Sequence, residues 1–266
     1  MPGDVVLFSK EGRIGHITFN RPEKLNAVNG QVRKELNEAL DLAVADDDVR
    51  VIILKGNGRA FSAGGDLGGG GGGHEDVAAD QRSLRESVVD YLKIWDLPKP
   101  VIAQVHGFCF GVATQITIFC DITMVAEDAR IGWPVLPLGG GYIAPMWAWL
   151  VGPKLAKEGS FIPGKTFTGA EAAAMGWANH AVPADKLEEE TMKMAQEIAK
   201  VPSEILRIKK QAVNQTMDAQ GFRTAVGFGA EFDAILHYSA PVQKLRALVR
   251  EHTWKGALEI FNREGI

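Results

Sequence analysis

Cysteine is scarce in this chain: two residues of 266, Cys109 and Cys120, eleven positions apart in an apolar stretch. That excludes a disulfide framework and marks both as buried free thiols. With no secretory leader pattern, the expected setting is a reducing cytoplasm. Long apolar runs are also lacking. None reaches the roughly 18 residues of a membrane span, so no spanning helix is expected. Basic charge is not in excess: 29 Lys and Arg face 33 Asp and Glu, a net charge of −4. That leaves no broad basic surface for nucleic acid. The six histidines show no metal-ligand spacing, so no metal is expected. Low complexity is confined to the glycine run 68–73, which should be mobile because it has no side chains to pack.

Hydrophobic residues make up 46% of the chain, enough for a substantial core in one large domain, or one domain with a helical appendage. Val5–Ser9 and His16–Asn20 are short β-prone runs around the hairpin signal Glu11-Gly12. Asn29 can cap a helix whose Val32, Leu36, Leu40 and Ala43 share one face. Val51–Lys55, Pro100–Val105 and Ile122–Ala126 are apolar runs typical of a sheet buried on both faces. A helix is expected near Asp76–Trp95. Strands alternating with helices indicate an α/β core. After residue 200 the pattern is helical only, over Glu204–Ala219, Phe222–Tyr238, Val242–His252 and Lys255–Asn262. The chain therefore divides into an α/β core over 1–200 and a helical region over 201–266.

Two glycine-bearing turns follow buried strands: Arg59-Ala-Phe-Ser-Ala-Gly-Gly-Asp66 and His106-Gly-Phe-Cys-Phe-Gly-Val112, the second entering a helix through Cys120. A free N–H at a helix N-terminus is a donor with a favourable dipole. Two such donors meeting at one point would hold an oxygen that gains charge during reaction. Taken alone, both turns are equally compatible with ordinary strand–helix connections.

Further segments change that weight. Asn20-Arg-Pro-Glu-Lys-Leu-Asn-Ala27, Ala60-Phe-Ser-Ala-Gly-Gly-Asp-Leu67, Lys99-Pro-Val-Ile-Ala-Gln-Val-His-Gly107, Cys120-Asp121 and Thr168-Gly-Ala-Glu-Ala-Ala-Ala-Met-Gly-Trp-Ala-Asn179 with Val182-Pro183 occur in order along nearly the whole chain. Together they resemble the crotonase superfamily, the enoyl-CoA hydratase/isomerase family. The resemblance implies a spiral of ββα units with a C-terminal helical trimerisation region, assembling as a homotrimer or a dimer of trimers. It implies an acyl-CoA substrate and no permanently bound cofactor, coenzyme A being part of the substrate. By motif position, the amides of Gly65 and Val112 would form an oxyanion hole for a thioester enolate. Lys24, Leu25, Ala27, Ala63, Gly65, Asp66 and Leu67 would lie along the CoA. Arg263 falls where the family has a basic residue that meets the CoA phosphate of a neighbouring subunit, although a solvated surface charge fits it as well.

The departures from the family pattern also carry information. Hydratases use two glutamates, one activating water and one delivering a proton; here Gln115 and Val135 fall at those positions. Glutamine can hydrogen-bond a water but cannot take its proton, and valine has no acid–base chemistry. The branched Val112 stands where hydratases usually have a glycine. Tyr142, after Gly139-Gly-Gly141, falls near a tyrosine of certain family decarboxylases, with a pocket-wall role as the plainer alternative. Glu231 and His237 lie on a helix that can reach the acyl pocket in relatives, against surface or interface roles. His106 fits a hydrogen-bonded structural role. His74 adjoins the glycine run. Trp133, Trp147 and Trp149 fit packing, with Trp133 also a candidate for the pocket lining. Three activities follow from the resemblance: an enoyl-CoA hydratase-family lyase or isomerase; a decarboxylase, thioester hydrolase or ring C–C hydrolase on the same fold; or a catalytically impaired CoA-binding protein. The apolar tail residues Leu245, Leu248, Val249, Leu258 and Ile260 lack a sheet to cover, so they are expected between subunits.

Overall fold

In a computed structural model, the described residues are 3–66, 76–133, 135–139 and 143–265. The chain starts as a hairpin, β1 (Val6–Glu11) and β2 (Ile14–Phe19), paired antiparallel from Val6↔Phe19 to Glu11↔Ile14. From there the sheet is parallel: β2 pairs with β3 (Val51–Gly56), β3 with β4 (Val101–Val105), β4 with β6 (Ile122–Ala126), and β6 with β9 (His180–Val182). Parallel neighbours need crossovers, and helices supply the first two. These are α1 (Gly30–Ala45) between β2 and β3, and α2 (Val77–Asp96) between β3 and β4. The next crossover runs through β5 (Phe108–Phe110) and α3 (Val112–Phe119). A smaller sheet joins β5 to β7 (Arg130–Gly132) in parallel, and β7 to β8 (Thr166–Thr168) antiparallel. Helices on both sides of the strands explain why Val51, Ile52, Leu54, Val101, Ile102 and Ala103 are all solvent-free.

Local chemistry fixes the helix starts. Asn29 Oδ1 accepts from the Val32 amide (2.9 Å), and Asp76 Oδ1 from Ala79 (2.7 Å). α1 buries Val32, Leu36, Ala39, Leu40 and Ala43 on one face, as its spacing predicts. Two helices escape a reading by periodicity. α4 (Ile143–Phe161) carries a break at Gly152 followed by Pro153, which obscures its pattern. α6 (Leu187–Ala199) buries only one narrow row: Leu187, Thr191, Ala195 and Ala199. Between β8 and β9 lies α5 (Gly169–Ala174), begun by a Thr168–Glu171 capping box.

The remainder is helical: α7 (Ser203–Ala219), α8 (Phe222–His237) and α9 (Ala240–Glu264), the last broken at Thr253 (φ 60°) between the two helices expected there. Leu245, Leu248, Val249 and Leu258 pack, with Ala257, against Leu136 and Leu138 of their own chain. The tail thus covers the segment after β7. A buried ion pair ties α7 to the core: Lys210 Nζ meets Asp121 Oδ2 (2.8 Å) and the carbonyls of Ile94 and Lys99, while Asp121 also accepts from the Val101 amide. Burial pushes the Asp121 carboxyl upward, against the opposing pull of Lys210. No helix among the described residues is long and apolar enough to cross a membrane.

Candidate active site

The segment 20–28 closes on the first glycine turn like a zip. Leu25 and Asn26 are both left-handed (φ 49° and 56°), which reverses the chain after the turn Pro22–Lys24. Leu25 O then accepts from Ala63 N (2.8 Å), Gly64 O from Val28 N (2.8 Å), and Val28 O from Asp66 N (2.9 Å). The Asn26 side chain, almost fully buried, accepts from the Arg21 amide and donates to the carbonyls of Asn57 and Ala60. Ser62 Oγ donates to Asn26 O and accepts from Gly64 N. Arg21 pairs with Asp66 (2.9 Å) and donates to Ala27 O. A polar group left unmade in such a place is costly, so this network fixes the turn's shape.

The same bonds determine which groups are left over. Val28 and Gly65 form a parallel bridge in which Gly64 C=O and Asp66 N–H make the bonds. The N–H of Gly65 itself must therefore face away from Val28. It makes no hydrogen bond among the described residues, and Gly65 is exposed. The second turn is laid against the first. Ser62 N donates to Phe108 O (3.0 Å) and Phe110 N to Ser62 O (3.1 Å). Gly64 (φ 96°) approaches so closely that a Cβ there would lie 2.6 Å from Phe110 O and 3.7 Å from Gly111 Cα. Gly107 (φ 60°) is pressed harder still, since a Cβ there would lie 1.9 Å from Arg59 O. Gly111 N is spent on Gly132 O (3.0 Å). Val112, the first residue of α3, is half-buried, and its N–H also makes no bond among the described residues.

One turn further along α3, Gln115 is buried and its Oε1 has no hydrogen-bond partner. Neighbouring Thr114 Oγ1 accepts from Trp147 Nε1 (3.1 Å), and Trp147 packs on Trp133 with ring centroids 4.2 Å apart. Trp133 Nε1 is likewise buried and unpartnered. Val135 is half-buried and lies against Gly164, in the turn before β8. Lys24 is exposed, Leu25 and Ala63 half-buried, and Ala27 buried, all on the zipped segments. Arg263 stands apart from them, exposed near the end of α9 and paired with Glu264. Leu67, the glycine run 68–73, His74 and Tyr142 lie outside the described residues.

Glu231 is engaged by α2: Arg85 Nε donates to it (2.7 Å) and the Gln81 side chain bonds it as well. His106 Nε2 bonds Gly58 O (2.9 Å), a structural role. Cys109 and Cys120 are free and buried, and burial pushes both thiols up. Asn26, Ser62 and Arg21 were missed as site residues; their signal was a run of polar residues inside quoted motifs, with no periodicity to explain them.

A parallel-sheet α/β fold whose strands β3 and β4 each lead into a glycine turn, the two turns meeting, is the crotonase fold. The enoyl-CoA hydratase/isomerase family model matches residues 9–243. A Novosphingobium aromaticivorans structure assigned to enoyl-CoA hydratase/isomerase is 38% identical with a TM-score of 0.92, covering 99% of this chain and 100% of that one. An enoyl-CoA hydratase/isomerase from Xanthobacter autotrophicus is 31% identical with a TM-score of 0.90, covering 96% of each chain. Among sequence relatives, the Mycobacterium tuberculosis protein EchA13, assigned to the enoyl-CoA hydratases, is 34% identical over 81% of this chain and 74% of its own. The chain belongs to the enoyl-CoA hydratase/isomerase family.

Proposed function

We propose that this protein binds an acyl-CoA thioester and stabilises its enolate between the amides of Gly65 and Val112. The observation that carries this reading is the contact of the two glycine turns, each leaving one N–H uncommitted among the described residues. Each donor aimed at a developing oxyanion is worth roughly 3 kcal/mol in the transition state. Lys24, Leu25, Ala27, Ala63 and Asp66 lie on the zipped segments beside the first turn and would follow the CoA, as would Leu67 by its place in the motif. Arg263 would reach a CoA phosphate only from a neighbouring subunit. Coenzyme A enters with the substrate, and no resident cofactor is required. The helices over 201–266 would also build a homotrimer or a dimer of trimers.

The relatives' names point to a lyase of the hydratase kind. Hydration needs a polarised carbonyl, a water deprotonated as it attacks, and a proton for the α-carbon. Gln115 supplies neither proton step, and Val135 packs against Gly164 with no ionisable group. General acid–base catalysis contributes about 10²–10⁴-fold per group. We therefore expect hydration of crotonyl-CoA at least roughly 10⁴-fold below an efficient hydratase, since paired losses are not additive. That favours, as a second reading, enolate chemistry without water addition to an alkene: decarboxylation, or thioester or ring C–C hydrolysis. A panel of crotonyl-, malonyl-type and β-keto acyl-CoAs separates the readings by turnover. Binding without turnover of any would mark a CoA-binding protein, and no binding at all would reject the proposal. If Gln115→Glu with Val135→Glu failed to raise hydration, the missing carboxylates would not be the limiting defect.

A further inference from the structure

A buried acid–histidine cluster joins α2 to α8. His237 Nδ1 lies 2.7 Å from Asp80 Oδ2, and His237 Nε2 lies 3.7 Å from Asp233 Oδ1. Asp80 and Asp233 are buried, whereas His237 keeps some access. A carboxylate only accepts, so the Asp80 contact places an imidazole proton on Nδ1. Nε2 makes no hydrogen bond among the described residues and faces Gly139, where a Cβ would come within 2.7 Å of it. Among the described residues, no group of three such side chains is arranged to hold a metal.

Helix register shows where this cluster stands. α2 and α8 run antiparallel: Trp95 stacks on Phe222 (4.6 Å) at one end, and Asp80 meets His237 at the other, fifteen residues away on each helix. α3 lies against α2, where Tyr91 stacks on Phe119 (6.4 Å). From that level, Asp80 lies eleven residues back along α2, roughly 16 Å, and Val112 seven back along α3, roughly 10 Å. The imidazole adjoins Gly139, four residues along the chain from the half-buried Val135. The segment it touches, ending at Gly139, begins at Gly132, whose carbonyl holds Gly111.

We propose that His237 is the base for the acyl group held at Gly65 and Val112, and that Asp80 is its positioning residue. This rests on the acyl-CoA reading above. In the step, the Nε2 lone pair takes a proton from the thioester α-carbon. The C–H pair forms the enolate double bond, the carbonyl π pair moves onto the oxygen at the two amides, and Asp80 balances the imidazolium. Return of a proton from His237 regenerates substrate, so in D2O the α-position gains deuterium with no net reaction.

The test uses the full-length protein with butyryl-CoA in D2O, following α-deuteration by mass spectrometry and binding by calorimetry. The wild type should deuterate bound butyryl-CoA. The charged groups that meet the His237 imidazole are Asp80 from α2 and Asp233 on α8, while Asp76 and Arg246 act on the adjacent Tyr238. His237→Gln should lower the exchange rate about 100-fold and leave the dissociation constant within about threefold. Asp80→Asn should lower the rate at saturation, again without loss of binding, whereas a merely structural Asp80 would lose both together. Glu231→Gln is the control and should exchange normally. Exchange within about fivefold of wild type in a folded His237→Gln protein, or wild type that binds butyryl-CoA but never deuterates it, overturns the proposal. Should His237→Gln fail to fold, exchange within about fivefold of wild type in a folded His237→Asn protein would overturn it as well. Absence of wild-type binding would overturn the acyl-CoA reading itself.

Discussion

Replacing Gly64 with alanine perturbs the meeting of the two turns without touching either proposed donor. The new Cβ would stand 2.6 Å from Phe110 O, about 0.8 Å inside ordinary contact. Neither side can give cheaply: Gly64 O is held by Val28 N, and Phe110 N by Ser62 O. The turns must part by most of that distance, carrying the Gly65 and Val112 amides with them. A misplacement near 1 Å costs roughly 10²-fold in rate, and losing one oxyanion donor about 10²–10³-fold. The left-handed φ of 96° adds roughly 1 kcal/mol of folding cost for a non-glycine residue. Gly12→Ala is the matched control, since Gly12 is also left-handed (φ 57°) but has open space around it. The assay is turnover of whichever acyl-CoA proves active, beside a urea melt of each variant. The expected outcome is a loss of about 10²-fold or more for Gly64→Ala, and stability loss alone for Gly12→Ala. A Gly64→Ala enzyme within threefold of wild type would refute the claim that this contact sets the amide geometry.

Lys210→Met should cost about 3–5 kcal/mol by leaving Asp121 buried and unpaired; adding Asp121→Asn should restore part of it, and a loss under 1 kcal/mol in the single variant would contradict the pair's role. His16 is buried with neither ring nitrogen hydrogen-bonded among the described residues, and burial, aided by Lys55, holds its pKa below the usual imidazole range against the weaker pull of Glu11, 4.0 Å from Nε2, and Glu188. The unfolded chain then takes up a proton that the folded chain resists, so stability is present above the ordinary imidazole range and is lost as pH falls through it. Urea midpoints at about pH 7.5 and about 5.5 should show that loss, and His16→Phe should flatten it; equal slopes would reject the assignment. Ile208, Val213, Phe228, Phe232 and Ile235 on α7 and α8 are each more than half exposed, so light scattering should report a trimer or hexamer, against which a stable monomer at micromolar concentration would count.

The parallel core was legible because strands buried on both faces, such as Val51–Leu54 and Val101–Val105, are unbroken apolar runs. α1 and the halves of α9 were legible from the spacing of their buried residues. The three-residue strands β5, β7 and β8 were not, since so short a segment has no period to read. The glycine turns were visible as motifs, but their meeting depends on bridges such as Ser62 with Cys109, which no local pattern encodes. The Asp80–His237 pairing was equally invisible. It joins residues 157 apart through the antiparallel register of two helices, and each residue alone looks like an ordinary surface polar group.

The hydrogen bonds of Asn26 also bear on the order in which the molecule assembles. Its partners lie 31 and 34 residues downstream, across β3 and the whole of α1. Closing a loop of that length gains little from one side chain until the sheet has already brought the ends together. The zip is therefore a late event in folding, made after β2 and β3 have paired. A truncated or partly folded chain would hold secondary structure without the pocket mouth. A spectroscopic probe on Ala27 or Ala63 would consequently report completion of the fold as a whole, and lag behind the far-ultraviolet signal of the helices during refolding.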